Sequence, residues 1–576
     1  MPPVLLPRLP LSLLLSAIAP LLLSPGAIAQ NIPNDLPEED LPDIEQITPD
    51  LPPDPFEDAP EEIPETPAPT LELPAEPVAP IEPEVPAVSF LVEDITVTGN
   101  TVLEDEIQAL VAEYEGREVT FDELLELRSR ITQLYLDSGY ITSGAFLPTG
   151  QTLTDGTVDI QIVEGSVEDI QVGGLRHLQR SYVRSRLRLG TETPLDQDKL
   201  LESLQLLQLD PFIRQINANL TAGTAPGRNI LIVEVDEPSP FSASIGGDNY
   251  RPPSIGSGQI SFGVGYSNLI GIGDRLFAEY GFTDGLDIFD VGASVPLNPR
   301  DGTLSFRFNS SESEIIDEEF EELEIQSETR TYGLSFRQPV VRSPETEFAL
   351  GIGIDLRRRQ TFILDDIPFS FSEGPEEGQS NVTVIRLFQD WVDRSATRVL
   401  AARSQFSFGI DAFNATVNDS GTDGRFFTWI GQFQWVQQIG SRNLLITRLS
   451  TQLTPDSLLS LEQFSIGGVD TVRGYAQNQL VADNGVLGAV ELRLPVTRNP
   501  QRLQLIPFFE IGTVWNNRTP DPEESTLAGI GLGLRAEVLP NLFARLDYGI
   551  PLINVDNDSD SLQEDGFYFS LRYQPF

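Results

Sequence analysis

Residues 526–538 read Thr526-Leu527-Ala528-Gly529-Ile530-Gly531-Leu532-Gly533-Leu534-Arg535-Ala536-Glu537-Val538. Ala528, Ile530, Leu532, Leu534, Ala536 and Val538 fall on alternate positions, and glycine, Arg535 and Glu537 fill the positions between. Side chains leave a strand on opposite faces with period two, so one face here is apolar and the other is bare or charged. The division recurs at 486–496, where Val486, Val490, Leu492, Leu494 and Val496 oppose Ala489, Glu491 and Arg493. It recurs at 542–548, where Leu542, Ala544, Leu546 and Tyr548 oppose Arg545 and Asp547. A soluble sandwich turns such apolar faces inward, whereas a membrane barrel turns them to lipid and keeps its charges in the lumen. Alternation alone fits both.

Segment length and loop lengths separate the two. Alternating segments of about ten residues suit a tilted crossing of the hydrocarbon layer, against ~5–6 residues for average soluble strands. Roughly sixteen of them run from 240 to 574. Short links near 268–272, 340–344, 392–396, 439–442 and Pro540 alternate with long polar ones at 312–327, 359–380, 412–424, 455–485 and 550–564. Short turns on one side and long loops on the other are the outer-membrane pattern. Residues 239–576 are therefore predicted to form an all-β transmembrane barrel of about 16 antiparallel strands. Trp391, Trp515, Tyr548 and Tyr573, near strand ends, are expected at its interfaces.

The remainder is different in kind. Residues 1–29 carry Arg8, an apolar run from Leu11 to Leu23 and Ala27-Ile28-Ala29, the form of a removable signal peptide. Residues 30–88 are rich in proline and acids and are expected to be a disordered spacer. Then a β-α-α-β-β order runs twice, over 89–165 and 166–238. The first copy has a strand at Leu91–Thr98, helices at 103–114 and 121–138, and strands at Tyr140–Leu147 and Thr157–Val163. Thr120 and Glu123 read as a capping box ahead of the second helix. The whole chain has 576 residues, 37 Lys and Arg, 87 Asp and Glu, a formal charge of −50, no cysteine and one histidine, His177. That charge argues against nucleic acid, and the missing Cys and His leave no support for thiol catalysis, a Cys or His metal site or a serine triad. His177, beside Arg176, reads as a solvated or capping side chain. No cofactor is expected, and the chain is not read as an enzyme.

Two sets of residues carry a resemblance. Gly139-Tyr140-Ile141-Thr142-Ser143, Leu147-Pro148, Gln151, Leu153, Gly156 and Val163-Glu164-Gly165 resemble the polypeptide-transport-associated (POTRA) repeat, in the form found in haemolysin secretion/activation proteins. Val472-Arg473-Gly474-Tyr475, in the longest loop, resembles the loop motif of the POTRA–barrel superfamily. Phe508-Phe509-Glu510-Ile511-Gly512 resembles that superfamily's Phe-x-Asp-x-Gly strand, with Glu510 in the aspartate's place. The chain thus resembles a TpsB-type outer-membrane transporter of two-partner secretion. The resemblance implies a pore that takes an unfolded exoprotein through periplasmic POTRA modules to the cell surface without nucleotide hydrolysis. It implies three kinds of partner: a secreted TpsA-type exoprotein, outer-membrane lipid, and periplasmic chaperones. It also implies that loop 455–485 folds into the lumen. The same superfamily includes barrel-assembly insertases, the alternative reading; a passive porin is a third.

Parity sharpens the loop. Phe508, Glu510 and Gly512 share one face while Leu505, Phe509 and Ile511 take the lipid face, so Glu510 points into the lumen. A buried arginine and such a carboxylate form a charge-assisted pair. Arg473 is expected to meet Glu510, with lumen-facing Glu491 a rival partner. The pair is either a latch that holds the loop or a buttress of the barrel.

Overall fold

The computed structural model describes residues 69–72, 89–151, 156–318, 320–364, 366–500, 502–555 and 561–576. The expected leader, most of the expected spacer, and Leu153 lie outside them.

In residues 89–165, α1 (Glu104–Val111) and α2 (Phe121–Asp137) pack on a three-stranded sheet. Thr157–Val163 is its centre, between Asp94–Thr98, parallel, and Gly144–Phe146, antiparallel. Leu124, Leu127, Ile131 and Tyr135 form one face of α2 and are buried against Val158, Ile160 and Ile162. The capping box forms: Thr120 Oγ1 accepts from Glu123 N at 3.3 Å, and Thr120 N donates to the Glu123 carboxylate at 2.7 Å. The single strand expected at 91–98 is two. Ser89–Val92 pairs with Arg117–Thr120, and the chain changes partner at Glu93, whose N–H bonds Gly156 O at 2.7 Å.

Residues 166–238 repeat the arrangement. Strands Ser166–Gly173, Gln215–Ala222 and Arg228–Asp236 carry α3 (Arg180–Leu187) and α4 (Gln197–Gln208). Leu200, Leu204 and Leu207 of α4 pack on Ile216, Leu231 and Val233. The expectation of a wholly disordered spacer is corrected here. Thr70–Glu72 is a strand, added in parallel to the edge at Asn217–Asn219. Leu71 packs on the module's core, and Asn219 Nδ2 bonds Glu72 at 2.7 Å. Main-chain pairing along a sheet edge makes little demand on composition, so a proline- and acid-rich neighbourhood does not prevent it.

The rest of the chain closes on itself. The barrel strands are β1 (Phe241–Asp248), β2 (Gln259–Ser267), β3 (Arg275–Phe282), β4 (Leu286–Pro296), β5 (Thr303–Glu314), β6 (Gln326–Arg342), β7 (Thr346–Ile363) and β8 (Gln379–Ser395). They continue as β9 (Arg398–Gly409), β10 (Phe427–Ile439), β11 (Asn443–Leu453), β12 (Asn484–Pro495), β13 (Gln504–Trp515), β14 (Thr526–Leu539), β15 (Leu542–Pro551) and β16 (Phe567–Tyr573). Each pairs with its neighbour antiparallel, and β1 meets β16 from Ile245↔Tyr573 to Asp248↔Ser570. Closure satisfies the backbone polar groups that lipid cannot. The faces divide as a membrane barrel requires: Leu532 is 53% exposed on the outside, while Glu510 is 3% exposed within. Leu492 is half-buried on the outer wall and Tyr548 and Tyr573 are exposed on it.

Three strands run past their expected ends. β6, β7 and β8 have 17, 18 and 17 residues, and pairing continues through Arg358↔Asn381 to Gln360↔Gln379. Beyond the expected ends the ladder persists while most positions on both faces turn polar, so the hydropathy signal stops before the strand does. The second module lies at the short-turn end. Gln179 N and Nε2 donate to Gly271 O and Ile270 O, each at 2.8 Å, and Arg186 pairs with Asp301.

Candidate functional site

The chain between β11 and β12, residues 454–483, is a hairpin whose ladder pairs Phe464↔Ala482 through Ile466↔Leu480. Beyond the ladder lies the tip with Val472-Arg473-Gly474-Tyr475, buried inside the cylinder. Val472, Tyr475 and Ile466 pack with Leu480, Val514 and Leu527, so an apolar plug covers the ionic contacts beside it.

Arg473 is 1% exposed and is held by three wall carboxylates. Its Nε lies 2.9 Å from Glu510 Oε1 and its backbone N donates to Glu510 Oε2 at 2.8 Å; Nη2 also pairs with Glu510. Nη2 donates to Glu491 Oε1 at 2.7 Å, and Nη1 to Asp547 Oδ1 at 3.1 Å. The guanidinium carbon stands 3.4 Å over the Phe508 ring, a cation–π contact with water excluded. Burying a guanidinium is tolerable only with its charge paired and its donors used, and this planar fork meets both conditions.

The wall carboxylates are balanced in turn. Arg545 Nε donates to Asp547 Oδ2 at 2.5 Å, and Arg448 and Arg493 stand 3.8 and 3.7 Å from Glu491. Gly474 has φ +108°, a conformation that side chains rarely adopt. That turn aims the N–H groups of Gly474 and Tyr475 at Tyr568 Oη, 2.9 and 3.0 Å away, and Tyr568 donates back to Tyr475 O. Tyr475 Oη lies 2.9 Å from Ala528 O and 2.8 Å from Ile553 O. Gly512 lies beneath the Ile466 side chain.

The site thus contains all the residues singled out from sequence, Val472, Arg473, Gly474 and Tyr475 on the loop and Phe508, Glu510, Gly512 and Glu491 on the wall. The choice between Glu510 and Glu491 dissolves, because Arg473 reaches both. Asp547 and Tyr568 were not anticipated. Parity had placed Asp547 on the charged face of its strand, and Tyr568 takes the lumen position between outward Phe567 and Phe569. A second ionic cluster was also unforeseen: Glu462, on the loop, sits between Arg357 of β7 and Arg386 of β8. No cluster of metal-ligating side chains occurs among the described residues. His177 lies apart, at the module–barrel junction, with Nδ1 3.3 Å from Glu237. Arg473, the cation of the loop tip, is met by fixed counter-charges on three wall strands, an arrangement that holds a loop in place.

Residues 227–536 match the family "haemolysin secretion/activation protein ShlB/FhaC/HecB", and residues 90–165 match the ShlB-type POTRA domain. The outer membrane transporter CdiB of Escherichia coli is 24% identical over 496 residues, covering 81% of this chain and 80% of that protein. The heme/hemopexin transporter protein HuxB of Haemophilus influenzae is 25% identical over 502 residues, covering 82% and 84%. The solved structure of CdiB from Escherichia coli superposes with a TM-score of 0.65 at 21% identity, over 86% of this chain and 93% of that one, a likeness of fold. The chain belongs to the haemolysin secretion/activation family ShlB/FhaC/HecB of two-partner secretion transporters, as an outer-membrane barrel with POTRA structure on its periplasmic side.

Proposed function

We propose that this protein recognises an unfolded exoprotein through modules 89–165 and 166–238 and passes it through the barrel to the cell surface, with loop 454–483 as the gate. In this reading residues 1–29 are a removable leader, 30–88 a spacer and 239–576 the pore. The observation that carries the reading is the buried Arg473 and its three wall carboxylates. A loop that fills the lumen is fastened there by ionic contacts, which a passing chain can exchange for water. The edge at Gln215–Ala222 supports capture by strand addition, since Thr70–Glu72 already occupies part of it in that manner. A captured segment needs an extended backbone, which an unfolded cargo offers. Transport proceeds without nucleotide hydrolysis; the sequence holds no G-x-x-x-x-G-K-[ST] loop, and folding of the cargo outside supplies the direction.

The test is co-expression with candidate exoproteins and assay of the medium, in a double-mutant cycle of Arg473→Ala and Glu510→Ala. Removing one partner of a buried pair costs about 3–5 kcal/mol, so each single change is expected to free the loop. Secretion is expected to fall while the barrel keeps its heat-modifiable migration, with non-additive effects in the double variant. Additive effects would remove the pairing, and lost secretion only from destabilised barrels would reduce Arg473 to a buttress.

A further inference from the structure

Before reaching its tip, the same loop passes a second ionic contact of inverted sign. Ser460–Glu462 forms a 3-10 turn on the rising leg. Arg386 Nη2 lies 2.9 and 3.1 Å from the two Glu462 carboxylate oxygens, and Arg357 Nη1 lies 3.1 Å from Oε1. Arg357 also bonds Leu461 O, and Arg359 Nη1 donates to Ser460 Oγ at 3.0 Å. Three consecutive loop residues are therefore held by three wall arginines. Leu458, Leu459 and Leu461 pack beside them on Val382, Val384 and Phe426. Asp355 balances Arg386 from the wall side at 2.5 Å.

The two contacts differ in sign and in place. The tip brings a cation to carboxylates on β12, β13 and β15; the rising leg brings an anion to arginines on β7 and β8. Strands β9 to β11 lie between these wall regions. Arg473 moved to the β7–β8 wall would meet the like charges of Arg357, Arg359 and Arg386, so the contacts fix which part of the loop lies where. Between Glu462 and Arg473 stand Gly467 and Gly468, with φ +110° and +95°. Two adjacent residues in a glycine-type conformation let the chain pivot there without moving what precedes them.

From this geometry we infer that Glu462 is a second positioning residue of the gate. It holds the rising leg on β7–β8 independently of the Arg473 latch, so the tip swings about Gly467–Gly468 while the leg stays anchored. The inference rests on the reading of the loop as a gate, but its test needs no cargo. The chain has no cysteine, so an introduced one is a unique label. Maleimide labelling of the full-length protein in liposomes is measured for Leu461→Cys on the leg and, separately, Val472→Cys on the tip. Adding Glu462→Gln is expected to raise labelling at the leg by about tenfold or more and at the tip by less than about twofold. Adding Arg473→Ala is expected to do the reverse. Glu462→Asp, which keeps the charge, is expected to restore most of the leg's protection, and heat-modifiable migration shows the barrel intact. Leg and tip rising together in either variant would overturn the inference, as would no change at the leg with Glu462→Gln. Independent labelling with unchanged secretion in the Arg473 variants would retain the two anchors and defeat the gate.

Discussion

The periplasmic modules and the barrel bury opposite kinds of surface. Each module hides a cluster of mainly Leu, Ile, Val and Tyr between two helices and a sheet; the first keeps its charges outside, and of its charges the second buries only Arg186, Asp210 and Glu237. The barrel turns its leucines to lipid, and the largest side chain fully buried anywhere among the described residues is Arg473, in its lumen. The modules are ordered by withdrawal of apolar surface from water. The barrel wall is ordered by backbone pairing, and its contents by matched charge. One chain thus holds two folding regimes, and a given substitution should act through only one of them.

Leu204→Ala, in the second module's core, should cost about 2–5 kcal/mol through lost contacts and the cavity left behind. The loss should stay local. All four tryptophans, Trp391, Trp429, Trp435 and Trp515, lie in the barrel, so their emission reports on the barrel alone. Limited proteolysis should cut residues 166–238 at lower denaturant than in the unchanged protein, with the tryptophan transition unmoved. A matching shift in both would show a single cooperative unit and break the comparison.

The converse substitution is Leu532→Arg, mid-strand on the outward face of β14. In a bilayer a midplane arginine costs about 2–4 kcal/mol. Folding into vesicles, followed by tryptophan emission, should weaken by that amount, while the modules' protease resistance stays the same. An unchanged barrel would mean that Leu532 does not face hydrocarbon.

How much the sequence reveals follows the same division. In 526–538 the period of two survives because lipid and lumen sort every residue by polarity, so strands, parity and the inward aim of Glu510 are legible. The apolar stripe Leu124, Leu127, Ile131 and Tyr135 is legible for the analogous reason at helical spacing. Where no solvent boundary sorts the side chains, the signal fails. The ladder from Arg357 to Thr361 on β7 is polar on both faces. The three paired residues Thr70–Glu72 lie among prolines and acids. At Glu93 the chain changes sheets with nothing to mark it. In the site, Arg473 is found by its motif, whereas Glu462 sits in a loop without period among many other acids. Its arginines, Arg357 and Arg386, are spaced as lumen residues but gave no indication of their partner.

The smallest expected effect lies where the two regimes join. Glu237, between strand Arg228–Asp236 and β1, accepts the backbone N–H groups of Arg176, His177 and Leu178 at 2.9, 2.9 and 3.1 Å. Burial alone would raise its pKa, but those three N–H bonds and His177 Nδ1 outweigh burial and hold the carboxyl below its ordinary value. A carboxylate with a depressed folded-state pKa contributes stability above the unfolded value, about 4.3, and that contribution is lost as pH falls through the folded value. The amides of residues 176–178 should therefore keep constant protection, after correction for intrinsic exchange, from pH 7 to about 5, and lose it below about 4. Glu237→Gln keeps a neutral carbonyl acceptor and removes the titration, so its protection should be lower at neutral pH and flat with acid. The same acid-dependent loss in both proteins would assign the titration to another ionisable group and remove Glu237 from control of the junction. A loss confined to the unchanged protein would place the boundary between the two regimes at this carboxylate, with ionic control beginning just before the first barrel strand.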